Sequence, residues 1–234
     1  MAYNIILLIL AILPVVLLGM YIYNKDKDKE PRKTLFKVFV GGILAAVLTV
    51  IISILFEYFI PYFSGDSSKY DGFKLFLYSF FLIGVVEEFC KWILLYIFSY
   101  HDREYDELYD MIVYSVFIGL GFASIENILY VYDGGIRVAL IRFFLAIPAH
   151  VSMGIFMGYY LSFAKLADVN KRNKLKFKYM IFSILIPSIL HGIYDYCLLS
   201  NNLILLPIFL VFVIILFFQA NKKATIMSNM DAEI

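Results

Sequence analysis

Charge is scarce in this chain: 17% of its 234 residues are Asp, Glu, Lys or Arg, while 62% are apolar and the mean hydropathy is +0.83. Soluble domains are roughly 45–50% apolar, so an ordinary water-soluble fold is excluded and most of the chain belongs in lipid. Cysteine is nearly absent. Cys90 and Cys197 both lie in apolar runs, which rules out a disulfide framework and fits buried thiols acting as small hydrophobes. Histidine occurs three times, at His101, His150 and His191, and no HExxH is present. With a formal net charge of +1 and no basic block interleaved with exposed aromatics, nucleic acid is not an expected partner. The first apolar run has neither a basic leader nor a small-residue cleavage pattern, so it reads as a retained span rather than a removed signal peptide.

What the chain does have is long apolar runs, about 5–23, 35–59, 73–99, 110–132, 136–164, 179–199 and 203–220. Each approaches the ~20 residues of helix that cross a bilayer core of roughly 30 Å. The expectation is an all-α polytopic transmembrane bundle of about seven spans, with residues 1–234 as a single membrane domain. Polar or Gly/Pro-containing segments separate the runs: Asn24–Thr34, Ile60–Gly72, Tyr100–Tyr109, the turn Asp133–Gly135, Lys165–Lys178 and the turn Ser200–Asn202. Lys25, Lys27, Lys29, Arg32, Lys33 and Lys37 gather at the first loop, six more basic residues lie in 165–178, and Lys222 and Lys223 are in the tail. The alternate loops hold only Lys69, Lys74, Arg137 and Arg142. Positive charge stays in the cytoplasm, so the N-terminus is expected outside and the C-terminus inside.

Against that background Gly84-Val85-Val86-Glu87-Glu88-Phe89-Cys90-Lys91-Trp92 stands out. A charge at mid-membrane costs roughly 2.5–3.5 kcal/mol and faces a bundle interior. Here three lie within one and a half turns. Glu87 and Lys91 are i,i+4 in the favoured order, and Glu88 is i,i+3 to the same lysine. One lysine cannot neutralise two carboxylates, so the pair is expected to carry a movable proton. Glu126, His150, His191 and Asp195 are the other ionisable groups deep in the runs, and the fold can tolerate them all if they converge on one polar cavity. At ~1.5 Å per residue, Glu87 and His150 each lie about 20 Å from the outer ends of their spans, so the cavity should open from the outer half of the membrane. His191 and Asp195 are i,i+4, so the carboxylate can orient the imidazole. Pro148 and Pro187 each remove a helical hydrogen bond near a histidine.

Plainer readings exist for each. Glu87, Glu88 and Lys91 as packing glue would need no second glutamate, Glu126 reads as an interfacial carboxylate, and either histidine could make an interhelical hydrogen bond. Gly119/Gly121 and Gly154/Gly158 read as packing. Glu57, Asp66, Asp71 and Asp110 read as loop or interface charges, with Asp110 placed to cap its helix.

At these residues the chain resembles the PrsW family of bacterial intramembrane proteases, related more distantly to the CAAX-processing and bacteriocin-immunity membrane proteases. Glu87-Glu88-Phe89-Cys90-Lys91 matches EExxK, and Phe122-Ala123-Ser124-Ile125-Glu126-Asn127 matches FxxxEN. His150 with Gly154 and Gly158-Tyr159-Tyr160 follows, and then His191-Gly192-Ile193-Tyr194-Asp195, in that order along 87–196. The resemblance implies a multi-pass protein of the bacterial plasma membrane. It would make the first cut in a membrane-anchored anti-sigma factor, near the extracytoplasmic side, and so lead to sigma-factor release.

The chemistry expected is hydrolysis by a water that Glu87 or Glu88 activates, the sequence leaving open which. His150 and His191 would orient the water, stabilise the oxyanion or protonate the leaving amine, and Glu126 and Asn127 would help hold water and substrate. Lys91 and Asp195 are supporting residues. No cofactor is favoured, although Zn²⁺ on His150, His191 and a glutamate is a permitted variant. The rival class is a proton-coupled transporter, disfavoured because the two halves show no symmetry. A non-catalytic scaffold would leave the buried charges unexplained.

Overall fold

The computed structural model describes residues 2–200 and 202–230. Asn201, in the expected last turn, and the tail end 231–234 lie outside the described residues. Among the described residues eight α-helices follow one another: α1 (Ala2–Lys25), α2 (Arg32–Phe59), α3 (Gly72–Leu77), α4 (Val86–Ser99), α5 (Asp110–Ile141), α6 (Ile147–Val169), α7 (Asn173–Leu199) and α8 (Leu205–Met230). No strand occurs among the described residues. Both cysteines are free thiols, as expected.

Among the described residues five helical stretches are long and apolar enough to cross a membrane, one of them the 60-residue run Asp110–Val169. Seven crossings remain a proposal: they need that run to count twice and the interrupted run Gly72–Ser99 to count as one. The chain does reverse inside the long run. Gly135 has φ 68° and ψ −161°, outside helical space. Arg142 Nε lies 2.7 Å from Asn127 Oδ1, whereas fifteen residues of straight helix would hold the two about 22 Å apart. The turn read from Asp133-Gly134-Gly135 therefore falls where glycine permits a positive φ.

Two stretches are wound as π-helix, Tyr78–Val85 between α3 and α4 and Arg142–Ala146 between α5 and α6. Such widenings of the helix concentrate at functional sites. One ends just before Glu87 and Glu88. The other ends just before Pro148, which has no N–H to continue a helical ladder.

α5 and α6 form the centre: Met111, Ile112, Val113, Tyr114, Ile118 and Ala123 of α5 and Met153, Met157 and Leu161 of α6 are almost fully buried. Gly154 and Gly158 let α6 approach α5, since a Cβ there would stand 2.9 Å from Ser115 O and 2.5 Å from Met111 O. They serve packing, as their spacing suggested. α1 and α2 pack on α5, α7 and α8 on α6, and α4 on α2 and α5. Ile54 of α2, Leu129 near the end of α5, Phe144 of the second π-helical stretch, and Ile214 and Phe218 of α8 are exposed to the surroundings. So much contiguous exposed apolar surface is suited to lipid. Basic loops and tail meet on one face, where Lys25 Nζ reaches Asn221 Oδ1 at 2.9 Å and Lys165 Nζ reaches Tyr100 O at 3.0 Å.

Asp71 caps α3, its Oδ1 accepting from Lys74 N at 2.7 Å. Asp110 does not cap α5. Its Oδ2 instead accepts the backbone N–H of Asp106 and Glu107 behind it, at 3.1 and 2.6 Å, which ties down the preceding loop.

Candidate active site

The placement of Glu87, Glu88 and Lys91 depends on one close backbone contact. A Cβ on Gly84 would stand 2.6 Å from Ser188 O and 2.9 Å from Gly192 N. The π-helical stretch and α7 can therefore touch only because both positions are glycine. One turn beyond Gly84 is Glu88, and next to Gly192 is His191. Trp92 Nε1 donates to Ser183 Oγ at 2.8 Å and locks α4 to α7 further along.

The residues singled out from sequence converge. Glu88, 1% exposed, has its Oε1 2.8 Å from His191 Nδ1 and 2.7 Å from Lys91 Nζ. Lys91 reaches Glu87 Oε2 only at 3.5 Å. Spacing alone favoured the i,i+4 pair, yet Glu88 holds the shorter contact. His191 Nε2 stands 3.1 Å from Asp195 Oδ2 and 3.8 Å from Glu87 Oε2. The Asp195 contact is at ion-pair distance but not aligned as a hydrogen bond. His150 Nδ1 is 3.4 Å from Lys91 Nζ, and its Nε2 is 2.9 Å from Glu126 Oε2. The two imidazoles meet edge to face with ring centroids 5.3 Å apart. Lys91 Nζ also sits 4.0 Å from the ring centre of Phe122, a cation–π contact that steadies a buried ammonium.

Asn127 faces away from this group. Its Nδ2 donates to Ala11 O on α1 at 2.7 Å, and its Oδ1 accepts from Arg142 Nε. Sequence reasoning passed over Arg142, which also donates to Glu126 Oε2 at 2.9 Å. Its signal was an isolated arginine in an apolar run close behind a glycine turn, just where it can fold back on Glu126-Asn127. Three carboxylates, Glu87, Glu88 and Glu126, thus pair with two cations, Lys91 and Arg142, and a fourth, Asp195, stands at His191. Carboxylates therefore outnumber the fixed side-chain cations by four to two in a buried place. Glu126 is the most open of the carboxylates, with 24% of its side chain exposed.

Could these residues hold a metal? Glu88, His150 and His191 each offer one ligand atom, all within 4.8 Å of one another, and all three are buried. Two imidazoles and a carboxylate are a usual zinc donor set, and a dication suits the excess of carboxylates. The residues fit. Lys91 is the competing feature, a cation already beside Glu88.

A helical bundle with a lipid-facing exterior and carboxylates and imidazoles gathered at its centre defines a multi-pass membrane protein built around a polar site. Residues 30–220 match the model of the PrsW family intramembrane metalloproteases, and the chain belongs to that family, which makes it a peptidase. Among its relatives, each named Protease PrsW, the one from Oceanobacillus iheyensis is 37% identical over 214 residues, covering 90% of this chain and 93% of its own. The Clostridioides difficile protein is 34% identical, covering 90% and 86%, and that of Bacillus subtilis 33%, covering 94% and 96%. No solved structure matches.

Proposed function

We propose that the chain is a bacterial plasma-membrane endopeptidase that makes the first cut in a membrane-anchored anti-sigma factor, with Glu88, His150 and His191 holding a divalent cation and Glu87 acting as base. The substrate rests on the family resemblance alone. The metal rests on the three ligand atoms within 4.8 Å. The sequence left a metal as a permitted variant that it did not favour; the closeness of the three ligand atoms, with four carboxylates to the two cations Lys91 and Arg142, is what supports it here.

A divalent cation held there would polarise the scissile carbonyl and make a nearby water more acidic. Glu87 stands close to His191 without a short bond to it, so its carboxylate is available to take the water's proton and pass it to the leaving nitrogen as the C–N bond breaks. Glu126 holds His150 by Nε2, leaving Nδ1 turned inward. Asp195 Oδ2 stands 3.1 Å from the other nitrogen of His191, at ion-pair distance. Arg142 keeps Glu126 in place. The buried surroundings exclude bulk water, which strengthens each of these interactions.

A metal-free reading keeps the same base and lets Lys91 serve as the site's cation. It is favoured by the 2.7 Å contact between Lys91 and Glu88. Metal analysis of purified, active protein decides between them. Stoichiometric Zn²⁺, activity lost on chelation and restored on return are expected. Full turnover in metal-free protein would leave the lysine reading. Failure to cut any single-pass anti-sigma factor would overturn the substrate.

A further inference from the structure

α1 and α2 each pack on α5 far more than on one another, and an apolar groove of about 610 Å³ runs between them. Its floor is Phe117, Leu120, Ser124, Ile125 and Ile128 of α5. On α1 it extends from Tyr23 to Ile12, roughly 16 Å of helix at 1.5 Å per residue. That is about one leaflet of a hydrocarbon core roughly 30 Å thick. A second hollow of about 260 Å³ reaches over Phe36. Both hollows are lined by Arg32, Leu35, Phe39 and Phe117, so they fork from one arginine.

Arg32 is exposed and makes no ion pair among the described residues, whereas nearby Lys37 pairs with Asp102. It opens α2, whose N-terminus has no side-chain cap. The first-turn amides and the guanidinium together favour an anion.

We propose that this forked groove binds one anionic two-chain phospholipid. Its phosphate sits at Arg32 and the first turn of α2, one acyl chain lies between α1 and α2, and the other lies over Phe36. A guanidinium matches a phosphate bidentately, and a single headgroup above two apolar branches is the shape of a diacyl lipid. The rival occupant is a transmembrane helix, which would use the long branch and have no use for the short one.

The test is lipid retention by detergent-purified full-length protein, read by native mass spectrometry and lipid extraction after exchange into phosphatidylglycerol or phosphatidylcholine. One phosphatidylglycerol per chain is expected to survive delipidation, and phosphatidylcholine is not. Arg32→Gln should retain about five- to tenfold less, the loss of one basic contact at an anionic headgroup, while Lys33→Gln changes retention less than about twofold. Ile43→Trp, which fills the long branch, should also expel the lipid, with a thermal melt confirming the fold. Glycerol phosphate, a headgroup without chains, should not compete. Equal retention of both lipids, unchanged retention in Arg32→Gln, or displacement by glycerol phosphate would overturn the proposal. Ile43→Trp that keeps the lipid but blocks proteolysis would assign the groove to a substrate helix instead.

Discussion

His191 Nδ1 lies 2.8 Å from Glu88 Oε1, although 103 residues separate them. That contact joins the EExxK segment to the histidine of α7 and brings a second imidazole, His150, within ligand reach.

In the proposed reading Glu87 and Glu88 are neighbours with different work, so their amides should behave differently. Glu87→Gln and Glu88→Gln are each expected to lower turnover by roughly 10²–10⁴-fold, the usual value of a positioned acid–base group. Bound metal, measured alongside cleavage, should stay in Glu87→Gln and fall in Glu88→Gln. The reverse pattern would exchange their roles.

Gly84→Ala puts a methyl 2.6 Å from Ser188 O, so α7 must move and carry His191 away from Glu88. Overpacking of this kind costs about 1–3 kcal/mol, and turnover should fall more than about tenfold with it. Gly119→Ala is the control. Its Cβ would meet its nearest neighbour, His150 O, at an ordinary 3.5 Å, and both stability and cleavage should hold.

Arg142→Gln removes the cation that holds Glu126 and Asn127 together. Turnover is expected to drop by about ten- to a hundredfold, because a part-buried carboxylate that loses its guanidinium partner can turn from His150. Arg142→Lys should recover only part, since an ammonium keeps the charge but lacks the planar fork that spans both partners. Steady-state kinetics on the two variants check this. Equal kcat in wild type and Arg142→Gln would remove Arg142 from the site.

Outside the spans, burial pushes the Glu30 carboxyl up to about 7 from an ordinary 4.5, with Asp26 adding to the rise against the hydrogen bond from Tyr114. A carboxyl whose folded pKa is raised holds its proton more tightly when folded. Its contribution is full below about pH 4.5 and is lost as pH rises through about 7. Thermal midpoints measured from pH 4.5 to 8 should therefore fall in wild type relative to Glu30→Gln, which keeps an acceptor for Tyr114 without the charge. At pH 8 the variant should be more stable by about 1–3 kcal/mol, the worth of one to two pKa units. Parallel curves would refute the role of Glu30.

Local spacing made part of this protein legible. Apolar runs of bilayer length required helices in lipid, Gly135 marked a reversal, and EExxK with His191-Asp195 showed which helix faces are polar, because i,i+3 and i,i+4 neighbours lie within side-chain reach whatever the rest of the chain does. Buried charge had to converge somewhere, so the list of site residues followed from energetic cost. Partner choice did not follow. That Glu88 rather than Glu87 takes the short contacts with Lys91 and His191, that Asn127 turns to Ala11, and that Arg142 returns to Glu126 were all decided by how the helices pack. A register of 1.5 Å per residue places a side chain along its own helix, but the distance across to another helix depends on backbone approach at Gly84 and Gly192 and on the turn at Gly135, and only the tertiary structure specifies those.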